Sequence, residues 1–272
     1  MNLLFHAQKT SLNTGVTLLQ KVDATNSPMK YTALKVLLLD QDGIYQEDLT
    51  SQEACIVVLA GKATVTTNKA TYEAIGQRQS IFDKIPTDSV YVGVTNHFRV
   101  QAVTANCKIA IAYAPTQKQL PDRLIQGDVH QIEHRGKYNI KRTAQNILPD
   151  DLPFADKLLV VEVYTDAANW SSYPPHRHDR ENPPEETYLE EIYYHEINPS
   201  DGFVFQHVYT DDRSLDETMT VENSDAVIVP KGYHPVGVPD GYDSYYLNVM
   251  GGPIRQWDFH NDPKFEWLLQ RK

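Results

Sequence analysis

The sequence predicts an all-β protein built of two similar halves. Short apolar segments rich in Val, Ile, Tyr and Thr recur about every 8–12 residues, with Gly, Pro, Asn and Asp between them. This spacing is typical of a β-sandwich or barrel rather than of alternating strands and helices. Helical patterns are scarce: residues 116–126 are expected to hold one short helix, and residues 262–272 a C-terminal helix or extension.

The predicted strands follow one another along the whole chain and carry the β-branched and aromatic residues that fit a pleated, buried surface. In order they are ALKVLLL (33–39), ACIVVLAG (54–61), KATVTT (62–67), SVYVGVT (89–95), KIAIAYA (108–114), KLLVVEVYT (157–165), EIYYHEI (191–197), FVFQHVYT (203–210), DAVIVP (225–230) and YYLNVM (245–250).

The order of these segments predicts two β domains, at residues 1–126 and 154–272, joined by a polar connector at 127–153. Each half shows a strand, a turn, a second strand and then a proline-containing turn that leads into another strand. An internal duplication would explain this order. The first half has no His-x-His pair, so we expect the chemistry to lie in the second half.

The charge balance argues against broad binding to polyanions. Lys and Arg number 25 against 36 Asp and Glu, which gives a net charge of −11, and no basic patch stands out. Nucleic acids and anionic membranes repel such a surface. No apolar run approaches the roughly 20 residues that cross a bilayer, so we expect neither nucleic acid nor membrane as a partner.

The two cysteines, Cys55 and Cys107, each lie in an apolar run and lack metal-ligand spacing. We expect both to be buried structural thiols. The N-terminal segment MNLLFHAQKT has no long apolar core of a secretory signal. These features predict a cytoplasmic protein. Barrels with exposed strand edges often associate, so a homo-oligomer is compatible with the sequence, although no interface can be named.

One segment suggests a metal site. His176 and His178 are two residues apart, so on a strand both project to the same face and reach one ion. Neutral imidazole suits zinc, manganese, iron, nickel or copper. A lone His-x-His in a proline-rich loop is more often a solvated pair, and further ligands are therefore needed.

Glu191 and His234 are the best further candidates. Glu191 opens the apolar run IYYH, and His234 follows a Pro-x-Gly turn at a point where a strand re-enters the sheet. Three histidines and one carboxylate leave coordination positions free for water or substrate, as in catalytic sites. Glu190 or Glu186 could replace Glu191, and since neighbours on a strand face opposite ways, only one of 190 and 191 can point at the metal.

Longer strings in the chain resemble the 5-deoxy-glucuronate isomerase family of bacterial inositol catabolism. They are FDKIPTDSVYV (82–92), HRGKYNIKR (134–142), NWSSYPPHRHD (169–179), LEEIYYHEI (189–197), GFVFQHVYTDDRSLDE (202–217) and VPKGYHPVGVPDGYDSYYLNVMGG (229–252). The 4-deoxy-L-threo-5-hexosulose-uronate ketol-isomerases of pectin breakdown are similar in architecture. The insertion DRENPPEETYLE between His178 and Glu191 resembles the inositol family and not the pectin family.

The resemblance implies a bicupin, that is, two cupin barrels with few helices, of which the N-terminal one is degenerate. It implies a divalent metal, zinc or manganese with iron as the alternative, on His176, His178, Glu191 and His234. The implied reaction is the aldose–ketose isomerisation of 5-deoxy-D-glucuronate, a uronic acid, to 2-deoxy-5-keto-D-gluconate.

The sequence does not single out the group that moves the proton. His207 and Tyr233 rank first because they neighbour an inner strand or the ligand turn, and the other candidates are Glu190, Asp179 and Asp211. A uronate carboxylate needs a cation, for which arginine offers bidentate geometry. The cations nearest to the site in sequence are Arg177, Arg180, Lys231 and Arg255.

Three other functions remain open at this point. The pectin-pathway ketouronate isomerases share the implied ligand set. An iron-dependent cupin dioxygenase would use the same three histidines and glutamate, and would consume oxygen. A sugar-binding or storage protein would show no turnover of any uronate.

Overall fold

The computed structural model describes residues 1–271, which form β-strands and only short 3₁₀ helices. The all-β prediction is confirmed. The 3₁₀ helices are Ile81–Asp83, Gly127–Val129, Tyr138–Ile140 and Glu266–Gln270. None of the helices in this part of the chain has the length and apolar character needed to span a membrane.

Twelve strands precede residue 127. They are β1 (Leu4–Phe5), β2 (Thr10–Asn13), β3 (Val16–Val22), β4 (Ala33–Leu39), β5 (Ile44–Leu49), β6 (Gln52–Ala60), β7 (Ala63–Thr67), β8 (Thr71–Ile75), β9 (Ser89–Val92), β10 (Asn96–Ala102), β11 (Cys107–Pro115) and β12 (Arg123–Ile125).

Twelve more strands follow within the described residues. They are β13 (Gln131–Arg135), β14 (Arg142–Leu148), β15 (Leu159–Thr165), β16 (Trp170–Ser171), β17 (His176–Arg177), β18 (Glu190–Asn198), β19 (Phe203–Tyr209), β20 (Asp216–Glu222), β21 (Ala226–Val229), β22 (Val236–Gly237), β23 (Asp243–Gly251) and β24 (His260–Asn261).

Each half of the protein contains one seven-stranded and one four-stranded antiparallel sheet. In the first half their strand orders are β12-β9-β6-β11-β4-β3-β2 and β5-β10-β7-β8. In the second half they are β1-β21-β18-β23-β15-β14-β13 and β16-β22-β19-β20, and β17 pairs separately with β24. The two halves thus repeat one architecture, as the order of the sequence segments predicts.

Some strands join a sheet outside the segment to which the sequence assigns them. β1 pairs with β21 of the second half, with Leu4 opposite Val227. β13 and β14, from the predicted connector, extend the seven-stranded sheet of the second half. The division at residues 126 and 153 itself stays a prediction.

The two seven-stranded sheets pack against each other, and this explains why several of their strands are apolar on both faces. On β6, Ile56 and Val58 belong to the core of the first half. Cys55 and Val57, which alternate with them, join a larger cluster that includes Val160 of the second half. Alternating side chains of one strand therefore serve two different cores.

A buried ion pair lies between the halves. The guanidinium of Arg78 donates to the carboxylate of Glu162 on β15, and both side chains are fully buried. Arg78 also donates to the Tyr164 hydroxyl at 2.6 Å and to the Leu59 carbonyl at 2.7 Å, and Tyr245 donates to Glu162 at 2.8 Å. The pair is thus fully hydrogen-bonded, as a buried charge requires.

The predicted helix at 116–126 is wrong. Pro121 cannot donate a backbone hydrogen bond and disfavours helical geometry at the preceding residue. The segment instead ends in β12, which pairs with β9. At the C-terminal end only the 3₁₀ helix Glu266–Gln270 forms, with Leu268 buried and Trp267 exposed.

Candidate metal centre

Three histidines from distant parts of the sequence meet in the second half. One nitrogen each of His176, His178 and His234 lies within 4.8 Å of the other two. Nε2 of His178 and Nε2 of His234 lie 3.0 and 3.2 Å from Oε2 of Glu191. His178, His234 and Glu191 are buried and His176 is partly buried. The predicted ligand set therefore comes together in space.

Backbone carbonyls orient two of the imidazoles. Nδ1 of His178 lies 2.9 Å from the Leu189 carbonyl, and Nδ1 of His234 lies 2.8 Å from the Gly232 carbonyl. A carbonyl only accepts, so each Nδ1 carries the proton in the neutral ring. Each Nε2 is left with a free lone pair that faces the other ligands, which is the usual arrangement of metal-binding histidines.

Glu191, and not Glu190, faces the histidines. The two are neighbours on β18, so they point to opposite faces of the sheet. Oε2 of Glu190 accepts hydrogen bonds from the backbone amides of Lys30 and Tyr31, both at 2.7 Å, and so ties the first half to the second. The geometry therefore does not support Glu190 as a ligand or as the group that moves the proton.

The loop inserted between His178 and Glu191 begins and ends at neighbouring points of the fold. Leu189 donates its amide to the His178 carbonyl at 2.8 Å, so the loop is closed at its base. Glu186, the other alternative ligand, accepts from Nε of Arg177 and from the Asp179 amide. The length of the insertion therefore does not displace Glu191, and Glu186 lies outside the histidine cluster.

The Pro-x-Gly turn before His234 depends on its glycine. Gly232 has a φ of +93°, and a Cβ there would lie 2.5 Å from the Tyr209 carbonyl oxygen. The Gly232 amide donates to Oδ2 of Asp179 at 2.7 Å, which joins the turn to the loop after His178. Glycine is required because other residues rarely adopt this backbone conformation.

The residues present fit a metal ion. Oε1 of Glu191 is buried and has no hydrogen-bond partner among the described residues, and the 3.2 Å contact of Nε2 of His234 with Oε2 of Glu191 lacks hydrogen-bond geometry. Buried polar atoms without partners are rare and require an explanation. Three imidazole nitrogens and a carboxylate that converge on one point provide that explanation, because they are a donor set for a divalent transition metal.

The His178–Glu191 contact predicts a pH-dependent stability of the metal-free protein. Burial by itself would lower the pKa of His178, but the hydrogen bond that the protonated ring donates to Glu191, together with the Glu191 charge, outweighs burial and the pKa is raised. Burial likewise would raise the pKa of Glu191, but His234 and His178 hold it well below its usual range. Below about pH 6.5, the unfolded pKa of histidine, the imidazole contributes fully, and this contribution is lost as pH rises through the raised pKa. The stabilisation that the ionised Glu191 carboxylate contributes is lost only in acid, as pH falls through its lowered pKa.

We therefore expect His178→Asn to lower the unfolding free energy of the metal-free protein more at pH 6 than at pH 8.5. Urea denaturation of both proteins at both pH values measures this difference, and comparison with the wild type cancels the titration of all other groups. An equal effect at the two pH values would contradict the assigned ion pair.

Two predicted substrate or catalytic residues lie behind the ligands. Arg177, between His176 and His178 in the sequence, points away from them and donates to Oδ2 of Asp211 at 2.8 Å and to the Tyr233 hydroxyl. The Tyr233 hydroxyl donates to Oδ1 of Asp211 at 3.0 Å. Both predictions relied on closeness in sequence, but neighbouring side chains of an extended chain point to opposite sides. Arg177 and Tyr233 therefore brace the ligand segments from outside.

The other predicted cations are also away from the histidines. Arg180 donates to Oδ2 of Asp211 at 2.7 Å on the protein surface. Lys231 and Arg180 line an outer groove of about 440 Å³ that none of the four candidate ligands lines. Arg255 donates to a set of backbone carbonyls, those of Leu148, Pro149, Asp150, Leu152 and Leu158.

His207 faces outward as well. Its neighbour Gln206 points into the second half and lies 3.0 Å from Nε2 of the buried His195. The ring of His207 stacks on Tyr209, and its Nε2 contacts Asp216 at 2.6 Å. His207 is thus not placed to act on a substrate at the histidine cluster.

The sequence prediction missed the tyrosines of the site. The Tyr193 ring lies 5.8 Å from the His234 ring and 4.8 Å from the Tyr246 ring. The Tyr193 and Ser172 hydroxyls are 2.9 Å apart. Burial raises the pKa of both tyrosines, and the Glu191 charge raises that of Tyr193 further. The strand pattern was the available signal. Tyr193 lies two residues after Glu191 on β18 and shares its face, and Tyr246 lies four residues before Met250, which pairs with Glu191.

Known proteins share this fold along the whole chain. The profile of the KduI/IolB family matches residues 4–268. A protein of Lacticaseibacillus casei named 5-deoxy-glucuronate isomerase is 65% identical over 272 residues, which is 100% of both chains. The crystal structure of an IolB-like protein from Salmonella typhimurium has a TM-score of 0.94 at 44% identity, and the match covers 99% of this chain and 100% of that one.

A more distant solved structure shows the fold alone. It is the formate complex of oxalate decarboxylase from Lactobacillus farciminis, a cupin-fold protein, with a TM-score of 0.68 at 13% identity over 100% of this chain and 91% of that one. The predicted architecture of two cupin barrels is thereby confirmed.

Proposed function

The chain belongs to the KduI/IolB family, and from this premise we propose that it is a metal-dependent 5-deoxy-glucuronate isomerase. The reaction converts 5-deoxy-D-glucuronate, an aldose, into the ketose 2-deoxy-5-keto-D-gluconate, as a step of myo-inositol catabolism. The observation that carries the proposal is the full-length identity of 65% to a protein of that name. The convergence of three histidines and one glutamate inside the second half supports the metal dependence.

His176, His178, His234 and Glu191 would hold the metal, which we assign as zinc or manganese with iron as the alternative. When bound, such an ion polarises a substrate carbonyl and stabilises the negative charge that develops when the adjacent proton leaves.

Tyrosine hydroxyls supply hydrogen bonds beside the ligands. The raised pKa values of Tyr193 and Tyr246 keep both phenols protonated at neutral pH. Each can therefore donate to an oxygen of the substrate, and Ser172 orients the Tyr193 hydroxyl from 2.9 Å. His195, whose pKa burial lowers to about 4, stays neutral and does not add charge to the interior.

We further propose that the enzyme works in the cytoplasm on a small uronic acid. Its two cysteines, both free and buried, support a reducing compartment. Association into a homo-oligomer, and the absence of nucleic acid and membrane partners, stay predictions.

The proposed function is tested by assaying the purified, metal-loaded protein on 5-deoxy-glucuronate beside the pectin-derived ketouronate. We expect ketose formation from 5-deoxy-glucuronate, at least about tenfold faster in kcat/KM than on the second substrate, without oxygen consumption. Turnover of the pectin substrate alone would favour the ketouronate isomerases. Oxygen uptake with Fe(II) would favour a dioxygenase, and binding without turnover a sugar-binding protein.

A further inference from the structure

Arg142 is an arginine on the interior face of the second half that has no acidic partner in the described part of the chain. It lies on β14 directly opposite Arg135 of β13. Ala144, two residues on, shares its face and pairs with Val163, which in turn pairs with Tyr246 of β23. Tyr246 pairs with His195, on the same face of β18 as Tyr193 and Glu191. Register alone thus places Arg142 on the face of the sheet that carries the site.

The contacts of Arg142 leave its charge uncompensated. Nη1 donates to the Ile140 carbonyl at 3.0 Å, and within residues 1–271 no carboxylate lies within ion-pair distance of this side chain. The side chain is partly buried. Burial without a counter-charge is unfavourable, so a site of this kind is suited to an anion that arrives from outside.

The neighbouring charges do not supply that anion. Arg135 is committed to Glu133, with Nε and Oε2 2.7 Å apart, and its guanidinium lies 5.6 Å from the Trp257 ring. The remaining oxygen of Glu133 accepts from Asn146 at 2.7 Å. Arg142 therefore faces a like charge whose own acid is already paired.

The site tyrosines Tyr193 and Tyr246 lie on the same face of the sheet as Arg142. Burial lowers the pKa of the Arg142 guanidinium, and the Tyr246 and Tyr193 phenols partly offset this effect. The Trp257 ring, which contacts Arg135, lies 6.1 Å from the Phe259 ring, and Phe259 lies 4.7 Å from the His176 ring. A row of aromatic rings thus runs from Arg135, the residue opposite Arg142, to His176.

We propose that Arg142 binds the carboxylate of the uronate substrate and thereby directs the aldehyde end toward the histidine cluster. The inference rests on the proposed function, since it assigns a role within that site. It also corrects the cations chosen by sequence: Arg177 and Arg180 are neutralised by acids, and Arg255 is occupied by carbonyls. A planar guanidinium can hold a carboxylate through two parallel hydrogen bonds, which fixes its direction.

The test compares Arg142→Gln and Arg142→Lys with the wild type on two sugars, 5-deoxy-glucuronate and 5-deoxyglucose, which carries CH₂OH in place of the carboxylate. Loss of a charge-assisted hydrogen bond predicts a roughly 10- to 100-fold fall in kcat/KM of Arg142→Gln on the uronate. On 5-deoxyglucose the variant should stay within about threefold of the wild type, and Arg142→Lys should regain part of the loss because it keeps the charge.

Arg99→Gln serves as the matched control, because Arg99 lies on β10 of the first half and donates to Gln101. It should behave as the wild type on both sugars. Metal content and melting temperature are measured for every variant. An equal fall of Arg142→Gln on both sugars, or no fall on the uronate, would overturn the proposal.

A binding experiment separates failure of this inference from failure of the proposed function. If the wild type does not convert 5-deoxy-glucuronate, the proposed function fails, and calorimetry with glucuronate as the probe then tests Arg142. Weaker glucuronate binding by Arg142→Gln than by the wild type and Arg99→Gln would support the carboxylate site. Equal binding by all three, or no binding by the wild type, would refute it.

Discussion

The Glu191→Gln variant is expected to lose its metal and its isomerase activity, while Glu190→Gln keeps both. Among residues 1–271, Glu191 is the one carboxylate in contact with His178 and His234, and Gln removes its charge with little change in shape. Loss of an outer partner of a ligand already costs roughly 10- to 100-fold in metal affinity. Loss of a ligand should exceed this range, and activity should fall at least about a hundredfold.

Glu190→Gln is a strict control because the two residues are adjacent on β18. Its carboxylate holds the Lys30 and Tyr31 amides, so the substitution should lower stability by about 1–3 kcal/mol without touching the histidines. His176→Ala and His234→Ala should behave like Glu191→Gln. Metal analysis of the purified proteins and rates at fixed metal concentration give the answer, and full metal and full activity in Glu191→Gln would refute the ligand assignment.

Removing one partner of the Arg78–Glu162 pair should produce the largest loss of stability. Both side chains are fully buried, so Arg78→Met leaves the Glu162 charge in the interior between the halves. Breaking a buried pair in this way costs about 3–5 kcal/mol. The substitution also leaves the Leu59 and Ile85 carbonyls and the Tyr164 hydroxyl without their donor.

The double variant Arg78→Met, Glu162→Met should be more stable than Arg78→Met alone, because no unpaired charge remains. Lys84→Gln is the surface control: Lys84 pairs with Asp166 where the two side chains are 41% and 71% exposed, and the loss should stay below about 1 kcal/mol. Urea denaturation measures all three. A loss in Arg78→Met no larger than in Lys84→Gln would contradict the role given to the buried pair.

The strand pattern made much of the fold predictable. Continuous apolar runs such as the one around Cys55 indicated buried strands, and the structure shows that alternate residues of that run face two cores. The sequence could not reveal that β1 joins the sheet of the second half, because pairing between Leu4 and Val227 depends on the whole chain. The helix expected at 116–126 failed where Pro121 interrupts the backbone hydrogen bonds.

The candidate site, like the fold, could be predicted from the sequence only in part. Spacing of two residues brought His176 and His178 to one face, and the turn with Gly232 marked His234, so the ligands could be chosen from local pattern. The residues that support the ligands could not be chosen from local pattern. Arg177 and Tyr233 were chosen because they neighbour ligands in sequence, but neighbouring side chains of an extended chain point to opposite sides, and these two bind Asp211 instead.

The sequence by itself determined the β architecture, the family resemblance and the identity of the histidines, because these depend on periodicity and on short strings. Only the tertiary structure decided between Glu190 and Glu191, and only it placed Tyr193 beside His234 and Arg142 on the same face of the sheet as Tyr193. The physical reason is that a strand fixes which residues share a face but not which face is inward. That choice is made by the packing of one sheet against another.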